Sequence, residues 1–272
     1  MAHASLVADD LEVHLGDTTI MQHMSLRAEE GEFVAIIGTS GCGKTTLLRT
    51  IAGLIPHHNG TITLHDTPIL GPEDRVAMVF QHFGLFPWKT VEKNVSYGLD
   101  VLGRPDPDGR VDRLLEMMHL TESRRKYPFQ LSGGMKQRAG IARALCMEPE
   151  LLLLDEPLSA VDAITREILQ AEILHMWDGQ SDMNALLVTH DLDEAILMAD
   201  RIVVLGGPPT RVLLETKVPI ERPRNPRTIR SHPEYAPLRA RLWETLQSPP
   251  PAGEEQPAAP GNDASAPAKG LS

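Results

Sequence analysis

Hydrophobic positions along the chain fall into short blocks with two rhythms. Phe33 to Ile37 and Leu151 to Leu154 are unbroken apolar runs, the pattern of strands buried on both faces of a parallel sheet. β-like runs recur at Thr61 to Leu64, Val76 to Phe80, Ala185 to Thr189 and Ile202 to Leu205. Ahead of them, Leu6 to Leu26 mixes short β-like runs with a turn at Gly16-Asp17. From about Val91 to Leu145 the spacing turns helical, as at Val111, Leu114, Leu115 and Met118. Strands alternating with helices predict an α/β fold on a mainly parallel sheet, with the 91–145 stretch inserted as a helical subdomain.

After Gly206 the pattern thins. Pro219, Pro223 and Pro226 predict an extended segment, and Leu238, Leu242 and Leu246 predict a final amphipathic helix. We therefore expect one domain over residues 1–246, with 207–246 as a short C-terminal extension. The stretch 247–272, rich in Pro, Ala and Gly, is expected to be disordered.

Composition narrows the picture further. The chain has 272 residues, 42% of them hydrophobic, enough for a substantial core. No apolar run approaches the ~18 residues a membrane helix needs. Met1 to Asp10 has neither a basic segment nor an apolar core, so no secretion signal is expected. Two cysteines far apart, Cys42 and Cys146, give no disulfide or zinc framework. A net charge of −11 speaks against a general nucleic-acid binder, which needs a positive surface.

The chemistry begins after the first buried strand. Gly38-Thr39-Ser40-Gly41-Cys42-Gly43-Lys44-Thr45 fits the phosphate-binding pattern G-x-x-x-x-G-K-[ST]. Its glycines let backbone N–H groups close around phosphate oxygens, and Lys44 adds a point charge. Thr45 offers a hydroxyl to Mg²⁺, and the helix that follows, through Thr46, turns its positive end to the anion. Leu151 to Leu154 runs into Asp155-Glu156. A strand that delivers Asp155 to its end places a carboxylate near that magnesium. Glu156, one residue on, is the candidate general base for an attacking water.

Leu131-Ser132-Gly133-Gly134-Met135-Lys136-Gln137-Arg138 resembles the signature of ABC ATPases, with Met135 in place of the usual glutamine. Residues 5–246 are similar to an ABC ATPase subunit, and further motifs follow in the family's order. Gln81 matches the Q-loop glutamine, Ser159-Ala160-Val161-Asp162 resembles the D-loop, and Val188-Thr189-His190-Asp191 resembles the switch-histidine motif. The resemblance implies a P-loop NTPase with an N-terminal antiparallel β region, ATP and Mg²⁺ as cofactors, and a head-to-tail pair of subunits sandwiching ATP. Ser132, Gly133 and Gly134 would then reach the γ-phosphate of the partner copy. His190 would contact the γ-phosphate held by its own chain's loop and help hold the water and Glu156 in line, and Gln81 would join Thr45 and Asp155 at the metal and report to the permease. The family stacks an aromatic on adenine; that position falls on Leu15, beside His14, so Leu15 is the candidate base contact.

Phe80-Gln81-His82-Phe83-Gly84-Leu85-Phe86-Pro87-Trp88 is similar to the Q-loop region of nitrate, sulfonate and taurine importers. That branch implies a membrane permease, a solute-binding protein reached through it, and a place on the cytoplasmic face of the cell membrane. Glycine-betaine importers have a related Q-loop region and stay open as an alternative. A non-transport ABC ATPase of DNA repair or translation also stays open, although it would usually bring coiled-coil insertions or two ATPase domains. No nucleic-acid partner is expected.

Overall fold

A hairpin opens the chain: β1 (Ala4–Leu15) and β2 (Thr18–Glu29) pair antiparallel across the turn at Gly16-Asp17. β3 (Phe33–Gly38) and α1 (Lys44–Ile51) follow, then β4 (Asn59–Leu64), the short β5 (Thr67–Pro68) and β6 (Val76–Val79). Four helices come next: α2 (Val91–Val95), α3 (Tyr97–Leu102), α4 (Arg110–Met117) and α5 (Gly133–Leu145). The rest alternates: β7 (Leu151–Asp155), α6 (Ala163–Trp177), β8 (Asn184–Val188), α7 (Leu192–Met198), β9 (Arg201–Gly206), β10 (Arg211–Lys217) and α8 (Tyr235–Gln247). The computed structural model describes residues 4–106, 108–159, 161–177 and 183–247. The predicted tail, beyond Gln247, and Ala160 of the D-loop-like segment lie outside the described residues.

Two sheets organise the molecule. The antiparallel one has the order β2-β1-β4-β5, and the larger one has the order β10-β9-β3-β8-β7-β6. In the larger sheet all pairings are parallel except that of β10 with β9. Its central strands are buried on both faces because successive side chains alternate. Phe33, Ala35, Ile37, Leu152, Leu154, Ala185 and Leu187 pack on the helical side, in a core that includes α5, α6, α7 and α8 residues. Val34, Ile36, Leu151, Leu153, Leu186 and Val188 face the other way, onto Leu47, Leu48 and Ile51 of α1 and onto the antiparallel sheet. The apolar runs of the sequence are thus two half-cores in alternation.

One expectation fails. The chain after Gly206 does not thin out at once, because β10 extends the sheet there. As an edge strand its residues are half-buried or exposed throughout, so it shows no clean alternation and escapes a pattern reading. The final helix predicted from Leu238, Leu242 and Leu246 is α8.

Candidate functional site

The parallel strands β3, β7 and β8 bring their carboxyl ends to one rim, where open α/β sheets hold ligands. β3 ends in Gly38, where the backbone of β9 runs too close for a side chain: a Cβ there would lie 2.5 Å from the Leu205 carbonyl oxygen. The loop that follows wraps its own lysine. Lys44 Nζ donates to the carbonyl oxygens of Gly38 at 2.8 Å and Thr39 at 2.9 Å, and the side chain is 8% exposed. Thr39, Ser40 and Gly41 are exposed at the mouth of the loop, whereas the Cys42 side chain turns into the core. Gly43 precedes α1 with φ of 100°, a left-handed conformation that favours glycine. Thr46 lies half-buried in the first turn of α1.

β7 supplies the acidic half of the site. Thr45 Oγ1 donates to Asp155 Oδ1 at 2.9 Å. Burial raises the Asp155 carboxyl above its usual range, and the Thr45 hydrogen bond works against that rise. Two oxygen ligands this close suit a hard cation that also takes ligands from phosphate and water. These residues therefore fit Mg²⁺.

Glu156 begins the turn after β7 with φ of +46°. For a non-glycine residue that costs roughly 1–3 kcal/mol, and hydrogen bonds on both sides of the residue hold it. Its N–H donates to the Val188 carbonyl at 2.9 Å, and its own carbonyl accepts from Ser159 Oγ at 3.0 Å. The strained turn aims the carboxylate at two groups from other elements. Gln81 Nε2, just past β6, donates to Glu156 Oε2 at 3.1 Å, and His190 Nδ1 lies 3.3 Å from the same oxygen. The family resemblance placed His190 beside Glu156; the fold adds Gln81 to the same carboxylate oxygen.

Two residues behind His190 were not singled out for chemistry. Thr189 donates its hydroxyl to the carboxylate of Glu194 and accepts from the Asp191 N–H at 3.1 Å. Glu194 is buried, and burial pushes its carboxyl from 4.5 up to about 7. Asp191 caps α7 through the N–H groups of Asp193 and Glu194. The sequence signal existed, a Thr-His-Asp run five residues from a Glu in the first turn of a helix, but burial of Glu194 is a tertiary fact.

Two predicted groups stand apart. Ser132 is exposed at the start of α5, where it accepts from the Met135 N–H at 3.3 Å. Gly134 packs so closely on Thr165 that a Cβ would approach its Cγ2 to 2.7 Å, and Gly133 is half-buried. Among the described residues no hydrogen bond joins Ser132 to the phosphate loop. Leu15 ends β1 opposite Thr18 and is 47% exposed. Beside it His14 bonds Thr19 at 3.1 Å and stands edge-on to His58, with ring centroids 4.7 Å apart.

Comparison with known proteins shows the family. A family model described as ABC transporter matches residues 21–159. An aliphatic sulfonates import ATP-binding protein of Burkholderia cenocepacia is 46% identical over 85% of this chain and 83% of its own. A nitrate import ATP-binding protein of Synechococcus elongatus is 39% identical over 90% of each. Among solved structures, the ATP-binding cassette MJ0796, a dimer in a post-hydrolysis state bound to ADP and Pi, aligns with a TM-score of 0.70 and 29% identity. That match covers 79% of this chain and 100% of the other. The chain belongs to the ABC transporter family and is one of its ATP-binding subunits.

Proposed function

We propose that the chain hydrolyses ATP to drive an ABC importer, working with separate permease subunits at the cytoplasmic face of the membrane. The observation that carries this reading is the Glu156 carboxylate, held by Gln81 and His190 beside the Thr45–Asp155 pair. No helix among the described residues is long and apolar enough to cross a membrane, and in the proposed reading separate permease subunits provide the path for solute. The sulfonate and nitrate relatives support a small oxyanion of that kind as cargo, delivered by a solute-binding protein.

The residues divide the work. The amides of the loop 38–45 and the Lys44 ammonium bind the phosphates. Thr45 and Asp155, joined by the amide oxygen of Gln81, would hold Mg²⁺, which neutralises charge on the phosphate oxygens. Glu156 accepts the proton of the attacking water, and Gln81 and His190 fix the direction in which its carboxylate points. Ser132 and the start of α5 serve the nucleotide of a second copy, placed head to tail, and Leu15 meets the base. Proteoliposomes holding this chain with its co-purified permease and enclosing MgATP should accumulate a labelled sulfonate or nitrate when the solute-binding protein is added. Co-purification with ribosomes or nucleic acid in place of a permease would overturn the proposal.

A further inference from the structure

Thr210 lies in the turn between β9 and β10 and is 2% exposed. Its hydroxyl oxygen is 2.7 Å from the Cys42 carbonyl oxygen and 2.8 Å from that of Ile20. Its backbone N–H already donates to the same Ile20 oxygen at 2.7 Å. A threonine hydroxyl has one proton to give. With Ile20 served by the backbone, that proton goes to Cys42. The turn is also bridged to β2 at Met21, so the hydroxyl is fixed to the frame of the molecule.

The Cys42 carbonyl shares a planar peptide with the Gly43 N–H, and the two point in opposite directions. Drawing the carbonyl to Thr210 therefore turns the Gly43 N–H away from the β9–β10 turn. Gly43, at φ of 100°, has no Cβ, and one placed there would collide with Thr210 Oγ1. This peptide sits beside a glycine, where the backbone rotates most freely. Without a fixed partner it would have to be ordered when ligand binds, at a cost in affinity.

We infer that Thr210 is a positioning residue of the phosphate site: its hydroxyl locks the Cys42–Gly43 peptide so that the Gly43 amide is presented to the nucleotide phosphates. The inference rests on the phosphate-cradle reading of the loop given above. Thr210→Val keeps the shape and removes the hydroxyl, whereas Thr210→Ser keeps the hydroxyl. Losing one such bond weakens MgATP and MgADP binding by about 3- to 10-fold, read by calorimetry, with KM rising more than kcat falls. Thr210→Ser stays within about 2-fold of the parent, because its oxygen still donates to Cys42. The rise in Tm on adding MgATP shrinks in the valine variant. Should valine prevent folding, Thr210→Ala carries the same expectation. A valine variant with a lowered Tm but parental affinity and a parental MgATP-induced rise would overturn the inference. Lys44→Ala separates the two claims: if it binds MgATP like the parent, the cradle reading itself fails. If Lys44→Ala loses binding while Thr210→Val keeps it, only the role of Thr210 falls.

Discussion

Helices α1 and α5 both start beside glycines, α1 after Gly43 and α5 at Gly133 after Ser132, and the two starts are finished differently. Neither has an acidic residue in its first turn, so each presents its positive end without a counter-charge of its own there. At α1 the surroundings are complete within the chain: Lys44 holds two loop carbonyls, Thr45 holds Asp155, and Glu156 waits with two partners. At α5 the chain supplies only the Ser132 cap and a tight seat for Gly134. In the proposed reading one start receives an anion among groups of its own chain, and the other is offered outward. That asymmetry is what a site shared between two copies requires.

The largest effect falls on the completed side. Glu156→Gln keeps the phosphate loop intact and removes the base, so MgATP still binds while turnover drops on the order of 10²–10⁴-fold. Near-parental hydrolysis would remove Glu156 from that role and leave the α1 side without its reactive group.

A change at the outward start should act differently. Ser132→Ala removes a helix cap worth about 1 kcal/mol, which lowers Tm by roughly 2–4 °C in a chain of this size. MgATP affinity of the dilute, monomeric chain stays as it was, because Ser132 serves another copy. Equal loss of affinity in the monomer would break the comparison.

The completed side also carries a pH signature. Glu194 has its carboxyl pushed from 4.5 up to about 7, by burial first, against the Thr189 hydrogen bond and with Asp191 and Arg166 as the nearby charges. Between those values the folded chain keeps a proton that the unfolded chain has released. Stability therefore falls as pH rises through that window and levels off above about 7. Glu194→Gln stays neutral and its amide oxygen can still accept from Thr189. Relative to the parent it gains Tm between about pH 5 and pH 8, by scanning calorimetry. Parallel curves would show that Glu194 is already solvated.

The smallest expected change concerns the base. Leu15 offers an exposed aliphatic surface where stacking on an aromatic is worth about 1–3 kcal/mol per base in nucleic-acid binders. Leu15→Tyr should tighten ATP binding several-fold, with little effect on the maximal rate. If affinity does not change, either Leu15 is not the base contact or another residue, His14 first, already holds the base.

What the sequence disclosed and what it hid follow from the same physics. The strands β3, β7, β8 and β9 were legible because they are buried on both faces and so nearly all apolar. The phosphate loop and the Asp155-Glu156 pair were legible because their chemistry fixes residue types at close spacing. β10 was not, since an edge strand needs no such pattern. Nor were the surroundings of Glu194 or Thr210: each has a partner brought close only by the fold, Thr189 for one and the Cys42 carbonyl for the other. The Glu156 cluster lay between these cases. Its members were readable one by one, and their convergence needed β6, β7 and β8 side by side.

The central claim is that one copy's completed loop works with another copy's outward helix start, and a mixing experiment tests it most directly. Lys44→Ala has a dead loop and a sound α5 start; Ser132→Arg has a sound loop and a blocked start. Each alone should hydrolyse almost no ATP. Mixed, they form some pairs in which the sound loop of one chain meets the sound start of the other, and hydrolysis should reappear. If the mixture stays as inactive as its parts although both chains are folded and pair, or if Ser132→Arg alone is fully active, the shared site does not exist.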